Sequence, residues 1–499
     1  MPEPESDLLS DWLRHTAMVT PDAPAIVEED RVTSFRELFE QAASLALRFV
    51  EHGIQQQDRI ALVLPKTTEA IVSVFASLLA GAVYVPIHPQ WPKERIEATL
   101  ADCAARLVIE GDKEADKETD KEGDLFPPRI TDRETGAGIP WQATPAAAIG
   151  TALEGSLPRA DAADPAFILF TSGSTGRPKG VVLSHRAVSA FVKWSAREFQ
   201  IGSTDRIACP SPLSFDLSTF DIFNMALCGA TCVLVPGHIV WMPRFLVQFV
   251  RQARITCWYS VPSILAGMLQ DGRLAEHEYP GLRVILFAGE VFAGPYVARL
   301  QVAVPQAICA NLYGPTETNV VTWYRVPRDF DGSQPLPGGD SVMSGYWGRP
   351  GLNRSEATQR AFVTVEGKQY YRTGDRVSLA SDGNYFFLGR LDRQVKRRGF
   401  RIELGEIEAA LLRQKDILEA AAVAAEFNAK DGQKGTAITA FVRARSADAV
   451  TLVEAKAHCA RTLPAYMLPD RIVFLNAMPK GSRDKIDYMA LAKIAKEPE

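Results

Sequence analysis

"FILFTSGSTGRPKGVVLSH", residues 167–185, sets an apolar run directly against a loop of glycines, hydroxyls and one lysine. The run from Ala166 to Phe170 has the composition of a buried strand. It feeds into Thr171, Ser172, Gly173, Ser174, Thr175 and Gly176. Glycines let backbone N–H groups approach an anion closely, hydroxyls add donors, and Lys179 adds a mobile cation. Together these suit a polyphosphate better than a plain turn. The loop is not a Walker A site, which needs Gly-Lys followed by Ser or Thr; here Lys179 is followed by Gly180. Kinase-like P-loop chemistry is therefore disfavoured.

Around this loop, strand and helix patterns alternate. "FRELFEQAASLALRFVEHG" (35–53) has helical apolar spacing and ends at glycine, and "RIALVLP" (59–65) reads as a buried strand. "TTEAIVSVFASLLAGAVYVPI" (67–87) gives a helix, a glycine stop and another strand, and "CAARLVIEG" (103–111) repeats the theme. Beyond the loop, "TCVLVP", "ITCWYSVP", "RVILFAG" and "AICANLYG" continue it. Such alternation predicts α/β structure with a parallel sheet. Residues 370–395 read as hairpins with a turn at Ser381-Asp382-Gly383. From Glu403 a small α+β unit is expected: helices at "GEIEAALLRQ" and "LVEAKAHCARTL", with a strand at "AITAFVRA". The predicted domains are 1–391 and 392–499. The charged stretch "GDKEADKETDKEGD" (111–124) reads as a solvated surface loop without function.

A chain of 499 residues is too long for one ordinary core. Its formal net charge of -5 argues against nucleic-acid binding through a global basic field. Seven cysteines make no zinc or redox spacing and read as reduced, mostly buried thiols. The acidic N-terminal stretch lacks an apolar signal core, and no apolar run is long enough to span a membrane. A reduced cytoplasmic enzyme is the simplest expectation.

Four further stretches stand in order with the loop: "NLYGPTET" (311–318), "YRTGDR" (371–376), "GRLDRQVKRRGFRIELGEIE" (389–408) and "DKIDYMAL" (484–491). With them the chain resembles the adenylate-forming superfamily of acyl-CoA synthetases, luciferases and nonribosomal-peptide adenylation domains. That resemblance implies a large N-terminal domain of α/β subdomains with a small β-barrel part, and a small mobile C-terminal lid. It implies ATP and Mg²⁺ as cofactors. The loop 171–176 with Lys179 would grip the phosphates, and Asp375 would accept the ribose hydroxyls, with Arg390 nearby. Tyr313 would stack on adenine, with Asn311, Gly314 and the backbone of Ala288, Gly289 and Glu290 near its edge. Thr316 would contact the α-phosphate and Glu317 would hold the metal. Lys485 would bridge the substrate carboxylate and the α-phosphate, while Asp392 would be the hinge that brings either Lys485 or the Lys396 side to the site.

In amino-acid-activating members, the first Asp of a "SFDLSTFDIF"-like stretch binds the α-ammonium; Asp216 holds that place. Motif alignment assigns the rest of the pocket to Leu217, Phe220, Tyr259, Leu286, Ala288, Leu312, Val320 and Val321, none of them charged. This set is most similar to free-standing L-prolyl ligases, which load a separate carrier protein. A small apolar amino acid, L-proline first, is the expected substrate; the expected partner is a phosphopantetheinylated carrier, with no nucleic acid and no membrane. An acid:CoA ligase and a catalytically weak nucleotide-binding member are the other readings. Three departures stand out: Arg483-Asp484 where Asn-Gly often precedes the lysine, His88 where Asp is commoner, and an abrupt junction at Pro337-Gly338 that shortens the expected barrel.

Overall fold

The computed structural model describes residues 6–111, 128–141, 157–173, 178–328, 345–346, 361–365, 368–379, 385–428, 434–446, 449–480 and 485–496. Two compact units divide the chain. The first comprises Met1–Pro89, Leu100–Leu169 and Gly180–Leu388; the second comprises Gln90–Thr99, Phe170–Lys179 and Gly389–Glu499.

The first unit is built on two eight-stranded sheets. One runs, edge to edge, Thr322–Arg325, Ile308–Tyr313, Val284–Phe287, Cys257–Ser260, Arg206–Cys209, Thr231–Leu234, Pro24–Glu28 and Arg31–Ser34. Its inner pairings are parallel and its two outermost are antiparallel. The Cys257–Ser260 and Val284–Phe287 strands are buried at every position. Helices on both faces of a parallel sheet demand this, so the strands read as continuous apolar runs. The other sheet centres on Pro165–Thr171, Val83–Pro86, Arg59–Val63 and Leu107–Glu110. The expected strand at the opening loop is therefore present, and Phe167 pairs with Tyr84 inside the sheet.

Local chemistry places the helices. Ser34 and Glu37 form a reciprocal capping box that starts Phe35–Glu51. Thr67 caps Thr68–Leu79, a helix of short and apolar residues buried on most sides. Trp12, Phe35, Phe75, Phe220, Trp258 and Phe287 lie at the centre of one continuous apolar cluster.

In the second unit, Ile417–Asn428, Lys434–Ala444 and Arg471–Phe474 form a three-stranded sheet. Ala420, Ala422, Ala440 and Val442 pack on one face with the Leu404–Leu412 and Leu452–Thr462 helices. Ala421, Val423 and Phe441 pack on the other with Leu491 of Tyr488–Lys496. A hairpin of Gln394–Arg397 and Phe400–Glu403 precedes them.

Among the described residues, the strands between 345 and 390 form hairpins and one edge pairing, with no closed barrel. The charged stretch 112–124, the Ser381-Asp382-Gly383 turn, the Pro337-Gly338 junction and Arg483-Asp484 lie outside the described residues. All seven cysteines are free, and all but the half-buried Cys228 are buried. Among the described residues, no helix is long and apolar enough to cross a membrane.

Candidate active site

Ligands of open parallel sheets bind beyond the carboxyl ends of the strands. In the first unit these ends carry most of the predicted substrate residues. Tyr259 stands in register with Leu286, and Phe287 with Asn311. Leu217, Phe220, Tyr259, Leu286, Ala288, Leu312 and Val320 are buried, and Val321 is half-buried. Phe220 meets the Tyr259 ring edge-on at 5.5 Å. Burial, with Asp216 and Asp221 adding to it, pushes the Tyr259 phenol far above its ordinary range, so it stays neutral.

Asp216 is half-buried, two residues before the Ser218–Cys228 helix. Its carbonyl accepts from Thr219 N at 3.0 Å and from Thr219 Oγ1 at 2.5 Å. A carboxylate here lies near the positive end of the helix dipole, which favours a negative charge.

The Gly314–Asn319 turn is tightly closed. Thr318 N–H and Oγ1 both donate to Pro315 O, and Val321 N–H donates to Tyr313 O at 2.8 Å. A Cβ at Gly314 would lie 1.8 Å from the Asn319 carbonyl oxygen, so only glycine fits. Glu317 is fully buried and Thr316 half-buried. The Tyr313 hydroxyl donates to the Asp375 carboxylate, and Asp375 N–H donates to Thr373 Oγ1. Two predicted nucleoside contacts are thereby brought together. Gly289 takes φ 91°, where a side chain would be strained. The Glu290 carboxylate accepts from Ser263 N–H at 3.0 Å, in the first turn of Pro262–Gln270. Its side chain is thus a helix cap, and the backbone of 288–290 is what it leaves to a ligand.

The start of the loop predicted to grip phosphate, residues 171–173, belongs to the second unit. Thr171 Oγ1 is buried without a hydrogen-bond partner among the described residues. Ser172 Oγ donates to Arg401 O at 2.8 Å, and Gly173 N–H donates to Glu406 Oε2 at 3.4 Å. Glu406 is ion-paired with Arg95, both nearly fully buried. Lys179 and Lys396 are half-buried, and Lys485 is exposed beside the bridge between Lys480 and Ile486. Arg390 makes a two-pronged pair with Asp392 at 2.7 Å for each contact. Ser174, Thr175 and Gly176 lie outside the described residues.

Several residues went unmarked in the sequence. Lys66 donates to the Cys209 carbonyl; burial lowers its ammonium pKa, and Cys209 and Asp221 partly restore it. Asp221 is fully buried, with neither carboxylate oxygen hydrogen-bonded among the described residues. Burial and the neighbouring Cys209 push its carboxyl well above the usual range, against the pull of Lys66. Asn319 and Thr219 form a further buried contact at 3.0 Å. The only sequence signal was the second Asp of "SFDLSTFDIF".

The fit to the nucleoside rests on the Gly314 and Gly289 geometry and the Tyr313–Asp375 pair, all within the first unit. Among the described residues, no cluster of three or more His, Cys, Asp or Glu side chains could hold a metal. Mg²⁺ needs none, because it takes one or two carboxylates together with phosphate oxygens.

Comparison with known proteins supplies the family. Residues 13–350 match the AMP-binding enzyme family and 406–485 match the AMP-binding enzyme C-terminal domain. An L-proline–[L-prolyl-carrier protein] ligase of Pseudomonas fluorescens is 36% identical, covering 97% of this chain and 99% of its own. A Streptomyces coelicolor protein of the same name is 35% identical over 94% and 93% of the two chains. Among solved structures, IdnL1 aligns with a TM-score of 0.75 at 29% identity, over 95% of this chain and 100% of its own. The Vibrio cholerae adenylation domain AlmE, in complex with glycyl-adenosine-5'-phosphate, shares the fold at a TM-score of 0.80 and 24% identity, over 100% and 99%. The chain belongs to the AMP-binding enzyme family, and it is an amino-acid-adenylating ligase.

Proposed function

We propose that this enzyme activates a small apolar amino acid, L-proline first, as its aminoacyl adenylate and passes it to the phosphopantetheine thiol of a separate carrier protein. The observation that carries the reading is the half-buried Asp216 beside a buried, uncharged lining. The two relatives named for prolyl-carrier ligation support the same choice. In this reading Asp216 receives the α-ammonium and holds the substrate carboxylate toward the α-phosphorus. A carboxylate oxygen attacks that phosphorus and pyrophosphate leaves; then the carrier thiolate attacks the acyl carbon and AMP leaves. Lys485 stabilises the charge that develops in the first step, and Thr316 orients the α-phosphate. Glu317 would hold Mg²⁺, which offsets phosphate charge when bound. Tyr313 and Asp375 seat the nucleoside. The lid would run from 392 to 499, with Asp392, three residues past the Gly389 start of the second unit's last segment, as the hinge and Arg390 as its ion-pair partner.

The test is ATP–pyrophosphate exchange over a panel of amino acids and plain carboxylic acids. L-proline should support exchange, whereas glutamate, lysine and acids lacking an amine should not. Asp216→Asn should lower kcat/KM for the amino acid roughly 10- to 100-fold, the loss of a charged hydrogen bond. Exchange with plain acids and none with amino acids would make the chain an acid ligase.

A further inference from the structure

We propose that Asn319 is a positioning residue that ties the nucleotide-side turn to the amine-binding Asp216 through Thr219; the inference rests on the function proposed above. Three contacts define the connection, the first of them buried. Asn319 Nδ2 donates to Thr219 Oγ1 at 3.0 Å, and that hydroxyl donates to the Asp216 carbonyl at 2.5 Å. Thr219 N–H reaches the same carbonyl at 3.0 Å. A hydroxyl has one proton, so once Thr219 gives it to Asp216 it can only accept from Asn319. The chain of bonds therefore has one direction, and it requires the amide face of Asn319.

The backbone argues for the same residue. Asn319 takes φ 57° in the left-handed region, which Asn tolerates better than most side chains. Its N–H donates to Thr316 O at 3.3 Å, and its carbonyl closes over Gly314 so tightly that no Cβ fits there. Asn319 and Thr219 are 6% and 3% exposed, so water cannot replace either bond at little cost. The turn that carries Thr316 and Glu317 is thus held in register with the residue that receives the ammonium, through a contact between Asn319 and Thr219, 100 positions apart in sequence. A bound amino acid would then present its carboxylate at a fixed distance from the turn.

The experiment compares Asn319→Gly, which keeps the left-handed backbone and deletes the amide, with Thr219→Val, which deletes the hydroxyl at nearly constant shape, and with their double variant. The readouts are amino-acid-dependent exchange, KM for L-proline, KM for ATP and Tm. Each single variant should raise KM for the amino acid roughly five- to tenfold, leave KM for ATP within about twofold, and combine non-additively in the double variant. Thr219→Ser, which keeps the hydroxyl, should restore wild-type KM. Unchanged amino-acid KM in an active, folded Thr219→Val overturns the relay while leaving the function standing. Equal rises in both KM values also overturn it, as a general loosening of the turn. If Asn319→Gly fails to fold, Thr219→Val and Thr219→Ser decide alone. Silence of the wild-type enzyme across every amino acid overturns the proposed function and the relay with it.

Discussion

His185 shows how one buried side chain sets an acid limit. It opens the His185–Glu198 helix, and its Nδ1 accepts from Leu9 N–H at 3.3 Å. Burial pushes its pKa down from 6.5 to about 4, against smaller pulls from Asp164 and Asp11. Between those pH values the unfolded chain binds a proton that the folded chain refuses. Stability is therefore complete above about pH 6.5 and falls as the pH drops toward 4, by up to roughly 3 kcal/mol. Urea midpoints measured from pH 7 to 4 should show this slope, and His185→Gln should flatten it. A slope unchanged in the variant would move the effect to other groups. Asp221 acts in the opposite sense. Its raised pKa favours the protonated fold, so its contribution weakens as pH rises above the ordinary carboxylate value of 3.8. At this scale the sequence was partly legible. Asp216, Asp375 and the loop glycines were marked from local motif chemistry alone. Asn319, Lys66 and Cys209 were not, because nothing in their neighbourhoods announces a partner.

The Ile417–Asn428 strand is the element that sequence reasoning passed over. Five of its residues are alanine, the best helix former, yet it is extended over twelve residues. Pairing with Lys434–Ala444 overrides the local preference, since Ala421 aligns with Phe441 and Ala422 with Ala440. Small side chains are needed because helices cover both faces of this sheet. Ala421→Leu, at a site with no exposure, should therefore overpack the Phe441–Met478–Leu491 face and cost about 1–3 kcal/mol in urea unfolding. If this substitution left stability unchanged, that face would be looser than its packing indicates. Elements with regular periods were legible: Phe35–Glu51, Cys257–Ser260 and Leu404–Leu412 all stand where their apolar spacing put them.

Across the whole molecule, contacts distant in sequence finish what local patterns begin. Arg95 and Glu406 are 311 residues apart and form a buried ion pair in the second unit. The Arg95 guanidinium also lies 4.8 Å from the Trp91 ring centroid. Removing one partner strands the other charge out of water. Glu406→Ala should cost about 3–5 kcal/mol, whereas Arg95→Met with Glu406→Leu should recover most of that loss. Thermal unfolding of the three proteins measures it; a double variant as unstable as the single would show that packing, not charge, sets the cost. The same carboxylate accepts from Gly173 N–H, so Glu406→Ala also frees that loop donor.

By itself the sequence determined the alternation of strands and helices, the glycine- and hydroxyl-rich loop after Phe170 and the family's ordered motifs. These depend on periodicity, on glycine's freedom and on short-range donor density, all written within a few residues. Only the tertiary structure decided which buried polar groups meet. The partners of Ser172, Arg95 and Asn319 lie 229, 311 and 100 residues away. It also decided that an alanine-rich segment is a strand. Both outcomes follow from burial: a polar group removed from water must find its partner wherever the chain brings one, and a small side chain goes where two layers press on the same sheet.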